Sequence, residues 1–181
     1  VKKINDKLIE SWSRILVNLS NSKLFIKSDQ FVSEKFRRIF KNKFISLEVK
    51  EDQLIFEESS PREDLLKSYN KIDIALDTFP YNGMTTSFEA LSMNVPVLTK
   101  AGDSFFSKCG ESINVNFNME DWISKNNDDY INKAIKYSTD LNFLRSTKLK
   151  LKNNRNNKAF DIKRFADDFA NALIDINKKL N

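Results

Sequence analysis

Residues 72–100, IDIALDTFPYNGMTTSFEALSMNVPVLTK, restrict the possible folds of this chain more than any other stretch. Two short apolar runs, at 72–77 and 95–99, flank a loop with Pro80 and Gly83 and a helix-like segment opening at Thr85-Thr86. Both runs have the length of strands, and the connection between them is too long for a hairpin. Strand, crossover helix and strand in that order predict parallel pairing with a right-handed connection. A parallel sheet is covered by helices and takes ligands beyond the carboxyl ends of its strands. The loop from Asp77 to Thr86 falls at such an end. The unpaired N–H groups of a first helical turn, backed by the helix dipole, favour an anion there.

The flanking sequence extends the same pattern. Over residues 5–19, Leu8, Ile9, Trp12, Ile15, Leu16 and Leu19 recur at spacings of three and four, which is one face of an amphipathic helix. Residues 23–27 and 53–56 read as strands. Between them, Ser28 or Asp29 can cap a helix whose apolar face holds Phe31, Phe36, Ile39 and Phe40. Ser59-Ser60-Pro61 leads into a helix through Leu65, Leu66 and Tyr69, with the proline where a missing N–H costs nothing. After Thr99 come a loop at 100–103, a helix through Lys108 and Gly110, and a helical turn at 119–123. Helices at 128–138, 140–151 and 162–173 with Ile176 close the chain, with a polar break at 153–157. We therefore expect an α/β fold, a Rossmann-like parallel sheet flanked by helices. It forms one unit over residues 1–181, with about 1–125 as sheet core and about 126–181 as C-terminal helices that pack on the sheet or on a partner domain.

Composition narrows the chemistry. The 181 residues contain one cysteine, Cys109, and no histidine. Internal disulfides and histidine-ligated metals are excluded, and a histidine base has to come from outside this sequence. A lone thiol suits a reducing cytoplasm. No apolar run approaches the roughly 20 residues of a membrane span. The net charge of +5 is spread along the chain rather than striped, which argues against nucleic acid and suits a phosphate ligand. The basic run from Lys148 to Lys163, with Lys150, Lys152, Arg155 and Lys158, reads as a solvated helix face. The chain opens on Val1, already in helix-like sequence, so we expect a piece of a longer protein.

Several residues near the loop carry possible chemistry, each with a bland alternative. Thr85 and Thr86 can hold phosphate oxygens, or they can simply cap a helix. Asn82-Gly83 before them allows a ligand close to the backbone. Glu89, one turn on, can accept hydrogen bonds from ribose hydroxyls, or it can be a solvated helix residue. Arg62 stands in a first helical turn, where the dipole disfavours a cation; it serves an anion or is a surface charge. Trp12 and Trp122 read as core anchors, Cys109 as a small packing residue, and Asp103 as a loop cap.

ALDTFPYNGMTTSFEALSMNVPVLTKAGDSFFSKCGESI resembles the C-terminal catalytic half of the protein O-linked N-acetylglucosamine transferases, glycosyltransferase family 41. Members often carry tetratricopeptide repeats upstream. The family pattern is LD-x-x-P-x-N-G-x-T-T, a carboxylate-bearing helix, G-x-P-V-x-T-x-x-G and S-R-x-x-x-S. The likeness extends over residues 4–16 and 54–77 and into the tail. It implies the second, nucleotide-binding lobe of a two-lobed GT-B glycosyltransferase. Such an enzyme is inverting and metal-independent, uses a UDP-sugar as co-substrate and needs no cofactor. It meets its protein acceptor through a histidine-bearing lobe that this sequence lacks, so the fragment alone is expected to be inactive.

The resemblance also implies site roles. Thr85 and Thr86 match the pair that holds the diphosphate, and Glu89 matches the ribose-binding carboxylate. Arg62 stands where Lys is frequent, near ribose and phosphate. Ser60 stands where the backbone reaches the base. Lys3 matches a lysine at the diphosphate needed for turnover. Three positions depart from the pattern. Met84 replaces a histidine and cannot donate to phosphate, Leu65 replaces the base-stacking histidine, and Lys108 replaces the arginine after Ser107. The implied reaction is transfer of N-acetylglucosamine from UDP-N-acetylglucosamine to Ser or Thr of proteins. Alternatives are an N-linked or fucosyl relative with another donor, a non-catalytic phosphate- or nucleotide-binding module, and a basic nucleic-acid-binding domain.

Overall fold

A computed structural model describes residues 3–154 and 160–180. Val1, Arg155, Lys158 and most of the polar break at 153–157 lie outside the described residues. Helices and strands alternate as α1 (Asp6–Asn18), β1 (Leu24–Lys27), α2 (Glu34–Ile45), β2 (Leu54–Glu57), α3 (Arg62–Ser68), β3 (Ala75–Leu76), α4 (Thr85–Ser92) and β4 (Val97–Lys100). Then follow α5 (Phe105–Asn116), β5 (Ile123–Ser124), α6 (Asn127–Thr139), α7 (Leu141–Asn153) and α8 (Ile162–Leu180).

All strand pairing is parallel, as the crossover at 72–100 requires. The strands form two ladders rather than the one sheet expected: β1 with β2, and β4 between β3 and β5. The third strand is shorter than its apolar run suggests. Its ladder covers only Ala75 and Leu76, anchored by bonds from the N–H of Ala75 to Pro96 O and from the N–H of Asp77 to Leu98 O, both 2.9 Å. The sequence reading placed only a helical turn at 119–123. A 3-10 turn is present at Glu120–Trp122, but β5 follows it and pairs Ile123 with Thr99 and Ser124 with Lys100. Two residues carry no period of their own, so only the partner strand reveals them.

Capping explains a further difference, in the segment after β1. Ser28 caps a single 3-10 turn, Asp29–Val32, and Ser33 then opens α2 by accepting the N–H of Phe36. This restart shifts the phase of the helix. Phe40 and Phe44, four apart, face the core with Phe31, while Ile39 is 51% exposed. Phe31 stacks on Phe56 of β2 at 4.7 Å between ring centres, so the phenylalanines cover the first ladder.

The second ladder is covered by α5 and α6, and α1 packs on α6. Trp12 on α1 is buried and donates its indole N–H to the Tyr130 hydroxyl on α6 at 3.1 Å. Asn114 on α5 is fully buried and donates to Val97 O of β4 and to Trp122 O. Trp122 packs against Tyr137 and Phe143, which brings α6 and α7 onto this side. Helix α8 differs: none of its residues is buried, and Ile162, Phe165, Phe169, Leu173, Ile176 and Leu180 are all exposed. Of the three C-terminal helices, α6 and α7 carry buried residues, and none of the residues of α8 is buried. Among those residues, no helix is long and apolar enough to cross a membrane.

Candidate functional site

The carboxyl ends of β3 and β4 carry a buried polar cluster. Asp77, directly after β3, is 7% exposed. Its Oδ1 accepts the Gly83 N–H at 2.6 Å, and its Oδ2 accepts the Thr99 hydroxyl of β4 at 2.8 Å. Its backbone carbonyl accepts from the Tyr130 hydroxyl at 3.0 Å. Burial pushes the Asp77 carboxyl up to about 6, against the opposing bonds from Gly83, Thr99 and Thr78 and the charge of Lys3. Gly110 on α5 lets that helix lie against this carboxylate; a Cβ there would come within 2.5 Å of Asp77 Oδ2 and collide with Thr99.

Asp77 thereby sets the loop that leads into α4. Asn82 is buried and donates to Thr78 O at 2.8 Å, while its own N–H reaches Phe106 O at 3.1 Å. Gly83 is buried so close to the helix that a Cβ would clash with Ser87 and sit 2.9 Å from Thr86 Oγ1. Met84, not a threonine, occupies the N-cap, and it makes no side-chain capping bond. Its carbonyl accepts from the N–H groups of Ser87 and Phe88. Thr85 and Thr86 are the first two helical residues, and both are exposed. The plain capping role considered for them is not what the structure shows. They stand at the positive end of the helix dipole, where the first N–H groups have no partner within the helix.

Cations stand on two sides of this helix end. Arg62, at the start of α3, pairs with Glu89 at 2.8 Å; the Arg62 side chain is 70% exposed and that of Glu89 only 9%. Glu89 is therefore not a solvated helix residue. Tyr69 donates its hydroxyl to Thr86 O at 3.2 Å. Burial, then the charge of Glu89, pushes that hydroxyl up to about 12, so it remains a donor. On the other side, Lys3 donates to Asn82 O at 2.9 Å and lies 3.9 Å from the centre of the Tyr81 ring. Desolvation lowers the pKa of its ammonium, opposed by the fields of Asp77 and Cys109. Asn5 secures this arm by capping α1 and donating to Phe79 O at 2.8 Å.

One set of contacts thus brings together Lys3, Asn82, Gly83, Thr86, Glu89 and Arg62, with Met84 and Thr85 on the same turn. Ser60, in the β2–α3 connection, and Leu65, on α3, join only through the helix that carries Arg62. The Ser60 hydroxyl is buried and has no hydrogen-bond partner, and Leu65 is half-buried. Sequence reasoning assigned no role to Asp77, Tyr69 or Tyr81. For Asp77 a signal existed: a carboxylate ending an apolar strand just before a glycine loop. For the tyrosines, ordinary helix and loop positions gave none. Asp103 is exposed, and it is Ser104 that caps α5. Among the described residues, no group of three or more His, Cys, Asp or Glu side chains is placed to hold a metal ion.

A model of glycosyl transferase family 41 matches residues 1–169. The chain belongs to this family. Over 151 residues it is 32% identical to a probable UDP-N-acetylglucosamine–peptide N-acetylglucosaminyltransferase, SPINDLY, of Eustoma exaltatum subsp. russellianum. That match covers 83% of this chain and 16% of the plant protein. The SPINDLY protein of Arabidopsis thaliana is 31% identical over 156 residues, again 83% of this chain and 16% of that protein. A mutant O-GlcNAc transferase from Thermobaculum terrenum has a solved structure that superposes with a TM-score of 0.82 at 30% identity, covering 83% of this chain and 29% of that one. The fold is therefore the Rossmann-like C-terminal lobe of a GT-B glycosyltransferase, and the chain spans about a sixth of its curated plant relatives in this family.

Proposed function

We propose that this family 41 chain is the donor-nucleotide-binding half of a protein O-glycosyltransferase that uses UDP-N-acetylglucosamine. The observation that carries this reading is the open N-terminus of α4. It presents Thr85 and Thr86 with no side-chain cap, and Lys3 and Arg62 flank it. Helix N–H groups, two hydroxyls and a lysine suit a diphosphate. Glu89 supplies the acceptor for ribose hydroxyls, with Arg62 holding it and neutralising it beside the phosphates. The unpartnered Ser60 hydroxyl and the Leu65 side chain border the place for the base.

In the reaction an acceptor Ser or Thr hydroxyl attacks the anomeric carbon, and the bond to the β-phosphate oxygen breaks. Negative charge grows on that oxygen as UDP leaves. Lys3 and the first N–H groups of α4 stabilise this charge more in the transition state than in the ground state, and this is what accelerates the step. No cofactor takes part, and the helix end and cations do the work a metal would otherwise do. The acceptor and its base are met through a second lobe outside this sequence, in the cytoplasm.

Calorimetric titration of the intact protein with UDP, GDP and a short DNA duplex tests this proposal. UDP is expected to bind best, and replacing Thr85 and Thr86 together by Ala should weaken it at least about tenfold. Preference for GDP would transfer the reading to a fucosyl-type donor. Tight, steeply salt-dependent DNA binding without UDP binding would overturn it.

A further inference from the structure

The two cations at the α4 terminus are held in different ways. Arg62 has a carboxylate partner, Glu89, at 2.8 Å. Among the ion pairs of the described residues, none includes Lys3; its ammonium rests on a carbonyl and on an aromatic face. That face is itself anchored. The Tyr81 ring stacks on Phe106 at 4.7 Å between centres and 22° between planes. The Tyr81 carbonyl accepts the Thr78 hydroxyl at 2.6 Å, and Phe106 O takes the N–H of Asn82. The ring is therefore fixed from the loop and from α5 while 39% of the residue stays exposed.

We propose that Tyr81 is a positioning residue: its ring face holds the Lys3 ammonium beside the open N-terminus of α4, ready for the diphosphate. This rests on the reading of Lys3 as a diphosphate contact. The physical reason is charge balance. A carboxylate partner would cancel the lysine's charge and would have to be displaced when the phosphates arrive. A ring attracts the cation through its quadrupole and carries no net charge, so the full positive charge stays available. The Asn82 carbonyl completes the seat without ionic competition. On binding, the diphosphate takes over from the carbonyl while the ring remains beneath the ammonium.

The test uses three variants of the intact protein. Tyr81→Leu removes the ring and keeps an apolar side chain, Tyr81→Phe keeps the ring face, and Lys3→Ala removes the cation. We expect Tyr81→Leu to weaken UDP binding about three- to tenfold, the range of a partly desolvated cation–ring contact, and Tyr81→Phe to restore it. In the Lys3→Ala background, Tyr81→Leu should cost nothing further. In parallel, the NMR signal of the Lys3 side chain, assigned by its loss in Lys3→Ala, should lose its ring-current shift in Tyr81→Leu and keep it in Tyr81→Phe. Unchanged affinity in Tyr81→Leu, or a loss fully additive with Lys3→Ala, overturns the proposal. If UDP does not bind the wild-type protein at all, the diphosphate reading fails. The NMR comparison then still decides whether Tyr81 positions Lys3, and an unmoved signal refutes that too.

Discussion

The buried Asp77 carboxyl makes a sharp prediction about stability and pH. Its pKa is pushed from 3.8 up to about 6 by burial, the largest cause, in spite of bonds from Gly83, Thr99 and Thr78. Between those two values the folded protein retains a proton that the unfolded chain has released. The contribution is fully present below about 3.8 and is lost as pH rises through about 6. At about 1.4 kcal/mol per pH unit the whole effect is about 3 kcal/mol, of which about 2 kcal/mol falls between pH 4.5 and 7.5. Asp77→Asn keeps the shape but cannot ionise. Its Oδ1 still accepts the Gly83 N–H, and its amide N–H can donate to the Thr99 hydroxyl, which turns from donor to acceptor. Other titrating groups are common to both proteins, so the difference between their curves isolates this one. Urea unfolding of each at intervals from pH 4.5 to 7.5 should show the wild type losing about 2 kcal/mol relative to the variant, most of it before about pH 6.5. Curves that stay parallel across this range would refute the argument that burial dominates at Asp77.

Further predictions concern the same cluster. Gly110→Ala forces a Cβ onto Thr99 and to 2.5 Å from Asp77 Oδ2; it should cost about 2–3 kcal/mol, read as a lowered Tm in calorimetry. Replacing Thr85 and Thr86 together by Ala touches two exposed residues that cap nothing, so stability should stay within about 0.5 kcal/mol while UDP affinity falls. Arg62→Ala removes the partner of Glu89; because Arg62 is mostly exposed, the cost in urea unfolding should be about 1 kcal/mol or less, with UDP affinity reduced in the same samples.

The periodic elements were legible because their pattern is set by their own burial. Leu8, Ile9, Trp12, Ile15 and Leu16 mark α1 at helical spacing, and all five are buried. The parallel pairing followed from the length of the crossover between β3 and β4. What could not be read depends on partners distant in sequence. Strand β5 exists because Thr99 and Lys100 offer it an edge, and Ile39 lost its place in the core because Ser33 restarted the helix. Glu89 shows the same limit at the site. Its spacing from Thr86 was visible, but its burial and its bond to Arg62 join residues on two helices that only the folded sheet brings together.

The charges of the cluster, taken together, indicate where a ligand's charge is needed. Two carboxylates lie at or beneath the loop, and each is already satisfied: Glu89 by Arg62, Asp77 by neutral donors from Gly83 and Thr99. Burial, against the bonds from Gly83, Thr99 and Thr78, pushes the Asp77 carboxyl up to about 6, so it is more easily neutralised than an exposed one. Arg62 is paired with Glu89, whereas the Lys3 ammonium takes part in none of the ion pairs of the described residues and the positive end of α4 has no side-chain cap. An isolated phosphate would engage only the helix end. On the proposed reading a diphosphate would engage both the helix end and the lysine, with the ribose extending toward Glu89. This edge would then run, on the same reading, from Lys3 at the sugar-side phosphate, through the α4 turn at the nucleoside-side phosphate, to Glu89 and Arg62 at the ribose, with Ser60 and Leu65 at the base.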